Sequence, residues 1–348
     1  MRQYSPLGQL VLARLREFYR EPEAVFWVYG FPIVMVVALG IAFRNKPAEQ
    51  ITVDVQQGSG AAEVEAVLGK HARFVVKVYD EDTIQRRWRG GKSDVVVVPL
   101  TGPAPRYQLR FDPSRLESEL KRDAVNNVLQ GEAGRKDVVD VAEQGQTQPG
   151  NRYIDFLVPG LVGMSLMGGG LWGVGFVIVD MRIRKLLKRF LATPMKRRDF
   201  LAAIMISRLT FMIPEVVLIL AFSWLTFGVV IRGSVAAVVV LIILGAVTFA
   251  GVGLLVASRA QTLETVSGLM NLVMLPMWVL SGIFFSSERF PDVAQPFIKL
   301  LPLTPLIDAL RAVMLEGALL TTQLPQLGIL AAWAVVTFAL ALRWFRWK

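Results

Sequence analysis

The chain has 348 residues, of which 53% are hydrophobic and 19% are charged, and its 38 Lys and Arg exceed its 28 Asp and Glu to give a formal net charge of +10. This composition excludes a disordered chain and is atypical of a soluble enzyme. Because the chain contains no Cys, disulfides and thiolate-ligated metal sites are excluded as well.

The sequence predicts a cytoplasmic amphipathic helix in residues 1–23 and a first transmembrane helix in residues 24–43. Leu7 to Tyr19 mixes apolar side chains with arginines, a pattern that suits a helix lying in the membrane interface. Ala24 to Phe43 is an uncharged apolar run, long enough to cross about 30 Å of hydrocarbon. Since no small-residue cleavage pattern follows this run, we interpret it as a retained anchor.

Residues 44–152 change to short β-rich runs separated by polar helical stretches, the pattern of an α+β domain. The predicted strands are Ile51–Val55, Phe74–Tyr79, Val95–Val98 and Tyr107–Phe111. The predicted helices are Ala61–Leu68, Glu81–Arg89 and one that Pro113 and Ser114 open and that reaches about Gln130. With 17 Lys and Arg against 16 Asp and Glu, the domain lacks the basic face that nucleic-acid binding requires. We therefore expect no nucleic-acid partner.

Residues 153–348 contain five further apolar runs, which predict transmembrane helices 2 to 6. These runs are Phe156–Val179, Leu201–Ile231, Val235–Ser258, Val266–Ser286 and Leu324–Leu342. The predicted fold class is an α-helical polytopic membrane protein with six transmembrane helices and an inserted α+β extracytoplasmic domain between the first and second.

The distribution of Lys and Arg predicts the orientation. The segment 181–200 between the second and third helices is dense in basic residues, whereas the loop between the third and fourth offers only Arg232. With six crossings, the basic N-terminal segment and C-terminal tail fall on the same side as 181–200. Because cytoplasmic loops carry the basic excess, we expect a multi-pass protein of the cytoplasmic (inner) membrane with both termini cytoplasmic and 44–152 extracytoplasmic.

Two charged residues lie within the third apolar run. Arg208 and Glu215 are seven residues apart, about two helical turns, and so share one helix face. An ionisable residue at membrane depth marks a pathway or a pair, and both interpretations are open, with the pair favoured. Gly169 and Gly173 in the second run have the small-residue spacing of a close helix contact.

The segment 287–320 is neither a clean membrane span nor a polar loop. It mixes apolar side chains with charged residues and is broken by prolines. Short helices that dip into the outer leaflet and return suit such a sequence, since irregular backbone at membrane depth must be buried in protein or face water.

The chain resembles the permease subunits of the ABC type-2 exporter family, in the subgroup with a large extracytoplasmic domain. The resemblance covers nearly the whole length and depends on three motifs in their order relative to six spans. These are Leu191 to Met195 followed by Arg197, Leu275-Pro276 followed by Ser281 to Phe285, and Leu301 to Leu306 leading into Asp308 to Arg311.

The resemblance implies a role for each matching segment. The N-terminal helix would be the interfacial connecting helix, and the segment 181–200 would contain the coupling helix that docks on a separate ATP-binding cassette ATPase. The coupling residues would be Arg184, Lys188, Arg189, Thr193, Pro194, Met195, Arg197 and Arg198. The outer re-entrant motif would comprise Pro302, Pro305, Asp308 and Arg311.

The resemblance also implies the partners and the cargo. The partners would be the ATPase subunit, a second permease copy or close paralogue, and membrane lipid. This chain would not be an enzyme and would bind no cofactor, because ATP and Mg would bind to the ATPase. The substrate would be lipid-like, amphipathic or drug-like, while polysaccharide export by related permeases keeps a second cargo class open.

Two functions from other classes remain as alternatives. In an ion-gradient-driven secondary transporter, Glu215 would be the natural ion site. In a membrane-anchored sensor, the extracytoplasmic domain would carry the function, although no nucleophile and base arrangement or metal cluster is evident in its sequence.

Overall fold

The structure, a computed structural model, describes residues 6–44, 50–100, 106–114, 116–136, 152–191 and 197–345. The chain divides into two compact units. One comprises Met1–Arg44 with Thr147–Lys348, and the other comprises Asn45–Gln146.

Six helices of the described chain are long and apolar enough to cross a membrane, in agreement with the predicted number. Spans 1 to 6 are Pro22–Ala42, Tyr153–Ile183, Asp199–Phe227, Val235–Ala257, Leu263–Leu280 and Leu320–Trp344. Span 2 begins three residues before the predicted start because Asp155 accepts a hydrogen bond from the Arg152 backbone N–H and closes a capping box. Span 5 ends six residues before the predicted end because Gly282 takes a left-handed φ of 82°, a conformation that stops a helix.

An amphipathic helix, α1 (Pro6–Arg20), precedes span 1. The sequence predicted this helix, and the structure extends it by one residue at each end relative to Leu7–Tyr19. It packs against span 3. Span 1 itself contains a π-helical turn at Phe26–Gly30.

The unit Asn45–Gln146 is built on a four-stranded sheet in the order β2-β1-β3-β4. The strands are β1 (Ile51–Gln56), β2 (Phe74–Tyr79), β3 (Val95–Pro99) and β4 (Tyr107–Arg110). The helices are α2 (Ala61–Gly69), α3 (Glu81–Arg89) and α4 (Leu116–Glu132). β1 pairs in parallel with both β2 and β3, and only β4 is antiparallel. The sequence predicted these elements but not the parallel pairing, which makes the unit α/β rather than α+β.

Both faces of this sheet are covered. Val53 and Val55 of β1 pack with α2 and α4 in one core, whereas Val96 and Val98 of β3 pack with Ile84 of α3 in a second core. A strand buried on both faces needs a continuous apolar run, which explains the four successive valines of β3.

Span 4 lies inside the bundle, where it packs against spans 2 and 6. Its crossing with span 2 brings backbone against backbone. A Cβ on Gly170 would meet the backbone of Phe249, and one on Gly253 would meet the Gly170 carbonyl. Glycine at these positions therefore permits the close approach of the two helices.

Short helices lie at both ends of the bundle that the six spans form. After span 2 the chain forms α5 (Leu186–Leu191). Between spans 5 and 6 it forms α6 (Gln295–Leu300) and α7 (Leu303–Arg311). α7 is almost entirely buried against span 2 and span 6, so its backbone at membrane depth is enclosed by protein.

Candidate functional site

The most charged buried feature of the bundle is the pair formed by Arg208 and Glu215. The Arg208 Nη2 lies 2.8 Å from the Glu215 Oε2. Their exposed fractions are only 7% and 4%. The structure thus brings together the two residues that the sequence placed on one face of span 3, and each satisfies the charge of the other where water is excluded.

Span 2 provides the surface on which this pair lies. The Arg208 guanidinium lies over Gly169, where a Cβ would overlap it, and the Arg208 Cδ lies 3.1 Å from the Cβ position of Gly173. The Arg208 Nη2 is also 3.5 Å from the Ser165 carbonyl. The glycine spacing of span 2 was therefore a correct signal of close contact, but the group in contact is a guanidinium and not a helix backbone.

The helix geometry changes at this contact. Span 2 is π-helical over Leu171–Phe176, which begins two residues after Gly169 and includes Gly173. A single π-helical segment within a long α-helix often occurs at a functional site and bends the axis. Sequence patterns gave no signal for it, because the segment is as apolar as its neighbours.

Aromatic residues connect α1 to the same level of span 3. The rings of Phe18 and Phe211 have centroids 4.2 Å apart. The Tyr29 hydroxyl of span 1 donates to the Phe211 carbonyl at 3.3 Å. Phe211 lies between Arg208 and Glu215 in the sequence, so α1, span 1 and the ion pair meet on one stretch of span 3.

The basic segment after span 2 separates into inward and outward cations. Arg182 donates to the carbonyls of Ala257 and Ala260 and ties span 2 to the end of span 4. Arg184 bonds Asp180 and keeps 68% of its side chain exposed.

Beyond Arg184, the structure describes only part of the predicted coupling residues. Lys188 and Arg189 are exposed on α5, which buried Leu187 anchors. Thr193, Pro194 and Met195 lie outside the described residues. Arg197 and Arg198 fall in the first turn of the helix that contains span 3, and their side chains are outside the description.

At the other end of the bundle, Arg311 joins three segments. Its guanidinium lies 3.5 Å from the centroid of the Phe156 ring and donates to the Phe156 carbonyl at 3.1 Å. It also donates to the Gly282 carbonyl. The re-entrant segment, the start of span 2 and the end of span 5 are thereby held together. The sequence did not predict that Arg311 contacts Phe156 and Gly282. The only signal was the Ser-Gly step after span 5, which concerns Gly282 alone.

The other residues of the outer motif lie around this contact. Pro302 caps α7, and Pro305 is buried within it. Asp308 is half-buried on the same helix, one turn before Arg311.

A small apolar cavity lies at the same end of the bundle as the outer motif. It has a volume of about 200 Å³ and is lined by residues of spans 2 and 3 and of the loop after span 3, with Met314. The lining residues are Val158, Leu220, Trp224, Val229, Val230, Ile231 and Met314. Among the described residues, no group of three His, Asp or Glu side chains could hold a metal ion. All seven residues that line the cavity are apolar.

Comparison with known proteins gives one family and several relatives. The family model described as ABC-2 family transporter protein matches residues 23–343. The Linearmycin resistance permease protein LnrN of Bacillus subtilis is 30% identical over 134 residues, which are 36% of this chain and 35% of that protein. Nodulation protein J of Bradyrhizobium diazoefficiens is 29% identical over 201 residues, which are 57% of this chain and 75% of the relative. Nodulation protein J of Rhizobium meliloti is 34% identical over 100 residues, covering 29% and 38%.

Proposed function

The chain belongs to the ABC-2 family of transporter proteins, as a permease subunit with several membrane-spanning helices, and from this we propose that it forms the substrate pathway of an exporter driven by a separate ABC ATPase. ABC-2 permease subunits work with ABC ATPase subunits and are not enzymes themselves. ATP and Mg would then be bound by the partner, and this chain would bind no cofactor.

The observation that carries the coupling proposal is the exposed basic helix after span 2. Lys188 and Arg189 project from α5, and Arg184 lies just before it at the end of span 2. Buried Leu187 and the inward hydrogen bonds of Arg182 attach this region to the bundle. An element that is fixed to the membrane helices on one side and charged on the other suits docking on a soluble subunit. Movement of the ATPase would then be transmitted to span 2.

The mechanism follows from that attachment. Closure of the ATPase around ATP would displace α5, and span 2 would move relative to span 3 across the glycine surface that holds Arg208. Alternating access requires such movement of one group of helices against another around a central pathway. The differential affinity of the ATPase for the two arrangements would provide the driving force.

The cargo that fits best is lipid-like, amphipathic or drug-like. The outer cavity is lined almost entirely by apolar side chains, which suits an acyl or aromatic group better than a sugar chain. The name of the Bacillus subtilis relative assigns it to resistance against linearmycin, and this supports a drug-like cargo for the present chain.

The assembly would contain two permease copies, or one copy and a close paralogue, in the cytoplasmic membrane. Both termini would be cytoplasmic, as the basic segment after span 2 indicates. The unit Asn45–Gln146 would then be extracytoplasmic, and lipid would surround the exposed apolar side chains of the outer spans.

The test is affinity purification of the tagged full chain from its own host in mild detergent, with ATP hydrolysis measured on the same sample. We expect a stoichiometric ABC ATPase and hydrolysis that vanadate inhibits. A chain that purifies alone in several mild detergents, and whose transport in ATP-depleted vesicles follows an ion gradient, would contradict the proposal. That result would favour the secondary transporter and make Glu215 the ion site.

A further inference from the structure

A groove lies at the opposite end of the bundle from the outer cavity. It has a volume of about 350 Å³, within the range of small-molecule sites. Its walls come from the end of span 4, the first half of span 5 and the end of span 6. The apolar lining residues are Leu255, Val256, Leu269, Leu272, Val273 and Trp344.

The groove is exposed along spans 5 and 6. Leu269 and Leu272 are 40% and 69% exposed, and Trp344 is 43% exposed. Tryptophan is enriched at the level of lipid headgroups, where its ring is half in hydrocarbon and half in water. The groove therefore runs from the headgroup level at Trp344 toward the hydrocarbon along span 5.

Among the described residues that line the groove, one is a cation. Arg259 lines the groove and is exposed, and its guanidinium lies 5.7 Å from the centroid of the Trp344 ring. Within the described parts of the chain, neither Glu264 in the first turn of span 5 nor any other acidic side chain pairs with Arg259. A guanidinium without a carboxylate partner, above an apolar channel, is complementary to a phosphate that carries a hydrocarbon tail.

The loop that presents Arg259 is held by buried contacts. Arg182 donates to the carbonyls of Ala257, Ser258 and Ala260 on both sides of Arg259. The Arg182 guanidinium also lies 5.4 Å from the centroid of the Phe345 ring, next to Trp344. The cation, the tryptophan and the walls of the groove are thus positioned together by span 2.

We propose that this groove binds an anionic bilayer phospholipid in the leaflet next to α5, with the phosphate beside Arg259 and one acyl chain along span 5. The lipid fills a surface between spans 4, 5 and 6. Because Arg182 joins the same loop to the end of span 2, the lipid stabilises the junction from which α5 projects.

The test is native mass spectrometry of the full chain, purified in mild detergent and exposed to equal amounts of phosphatidylglycerol and phosphatidylcholine. We expect the wild type to retain phosphatidylglycerol preferentially. Arg259→Gln should lower this retention about fivefold, the effect of one charge at a membrane surface. Arg89→Gln, which removes an exposed arginine of α3 in the unit Asn45–Gln146, should leave retention unchanged.

A second pair of variants tests the channel without touching the charge. Leu272→Trp should fill the groove and displace the acyl chain. Leu225→Trp is the matched control, because it adds the same ring on span 3, outside the groove, where Leu225 is 72% exposed. Equal retention in Arg259→Gln and wild type, or equal retention of both lipids by the wild type, would overturn the proposal. Cross-linking of two copies through Leu272→Cys, with no lipid retained, would assign the groove to a second copy instead.

Discussion

At the scale of single residues, the bundle depends on arginines that point inward. Arg208 meets a carboxylate, while Arg182 and Arg311 donate to backbone carbonyls of other segments. A charge in a low-dielectric interior is tolerated only when its donors are satisfied in this way. Each of these arginines joins at least two spans or their connecting loops. Arg208 pairs with a carboxylate of its own span 3 and contacts span 2 at the Ser165 carbonyl and at Gly169.

The contact between Arg208 and Gly169 predicts an unusual sensitivity to one methyl group. Gly169→Ala should lower the free energy of unfolding by about 1–3 kcal/mol, because the new Cβ would overlap the guanidinium. Gly168→Ala is the matched control, since nothing lies near the Cβ position there and alanine favours the helix. Thermal unfolding of both detergent-solubilised variants checks this. Equal stability of the two would show that Arg208 lies elsewhere.

The ion pair makes a second prediction, about the cost of removing either partner. Glu215→Gln and Arg208→Gln should each destabilise the protein by about 3–5 kcal/mol, because each leaves the buried partner without its opposite charge. The double variant Arg208→Met with Glu215→Leu should recover most of that loss and part of the transport. Transport that is abolished in the double variant while its thermal stability is normal would instead assign Glu215 to the pathway.

At the scale of elements, two of the described helices begin where a side chain satisfies a free backbone N–H. Thr262 caps span 5 through the Thr265 N–H, and Asp80 caps α3 through the Thr83 N–H at 3.2 Å. The Asp80 cap explains why the predicted and observed bounds of α3 agree. The bounds of span 5 differ by several residues, because a glycine turn interrupts the apolar run at Gly282.

The cap of α3 gives a prediction with a pH dependence. The hydrogen bond from the Thr83 side chain lowers the pKa of Asp80 below its ordinary value. The stabilisation from the ionised cap is therefore complete above the ordinary pKa of 3.8 and is lost as the pH falls through the lower value in the folded state.

Asp80→Ala should consequently speed amide hydrogen exchange in residues 81–89 several-fold near neutral pH, because the cap is lost. The difference should persist to about pH 4 and vanish in stronger acid, where the wild-type carboxylate is protonated. Glu65→Ala, an exposed change within α2, serves as the control. Exchange in Asp80→Ala that matches the wild type at neutral pH would contradict the role of the cap.

The exposed basic helix α5 carries the prediction on coupling. Lys188→Glu combined with Arg189→Glu should abolish co-purification of the ATPase, because the charge presented to the partner is reversed. Membrane insertion and thermal stability should be retained, since both side chains are exposed. Lys299→Glu, an exposed change on α6 at the other end of the bundle, should leave ATPase association intact. Undiminished association in the double variant would remove α5 from the docking surface.

At the scale of the whole molecule, the orientation can be tested directly because the chain contains no Cys. Ser59→Cys, at an exposed turn before α2, should react with a membrane-impermeant maleimide on intact cells. Gln261→Cys, exposed in the loop between spans 4 and 5, should react only after permeabilisation. The reverse labelling pattern would invert the proposed topology and place α5 on the outer side.

The sequence alone determined the number of spans, the strands of the inserted unit and the family resemblance. Composition and periodicity are local properties, so Phe74–Tyr79 and Glu81–Arg89 could be predicted to the residue. The pairing of Arg208 with Glu215 was foreseen as one possibility, because both lie on one helix face.

Only the tertiary structure decided which faces meet. The parallel order of the sheet, the guanidinium over Gly169, the stacking of Arg311 on Phe156 and the groove at Arg259 all join residues far apart in the chain. Such contacts depend on the packing of whole helices, and no local pattern encodes them. The same limit explains why Arg182 looked like one more cytoplasmic cation, although its guanidinium in fact binds the end of span 4.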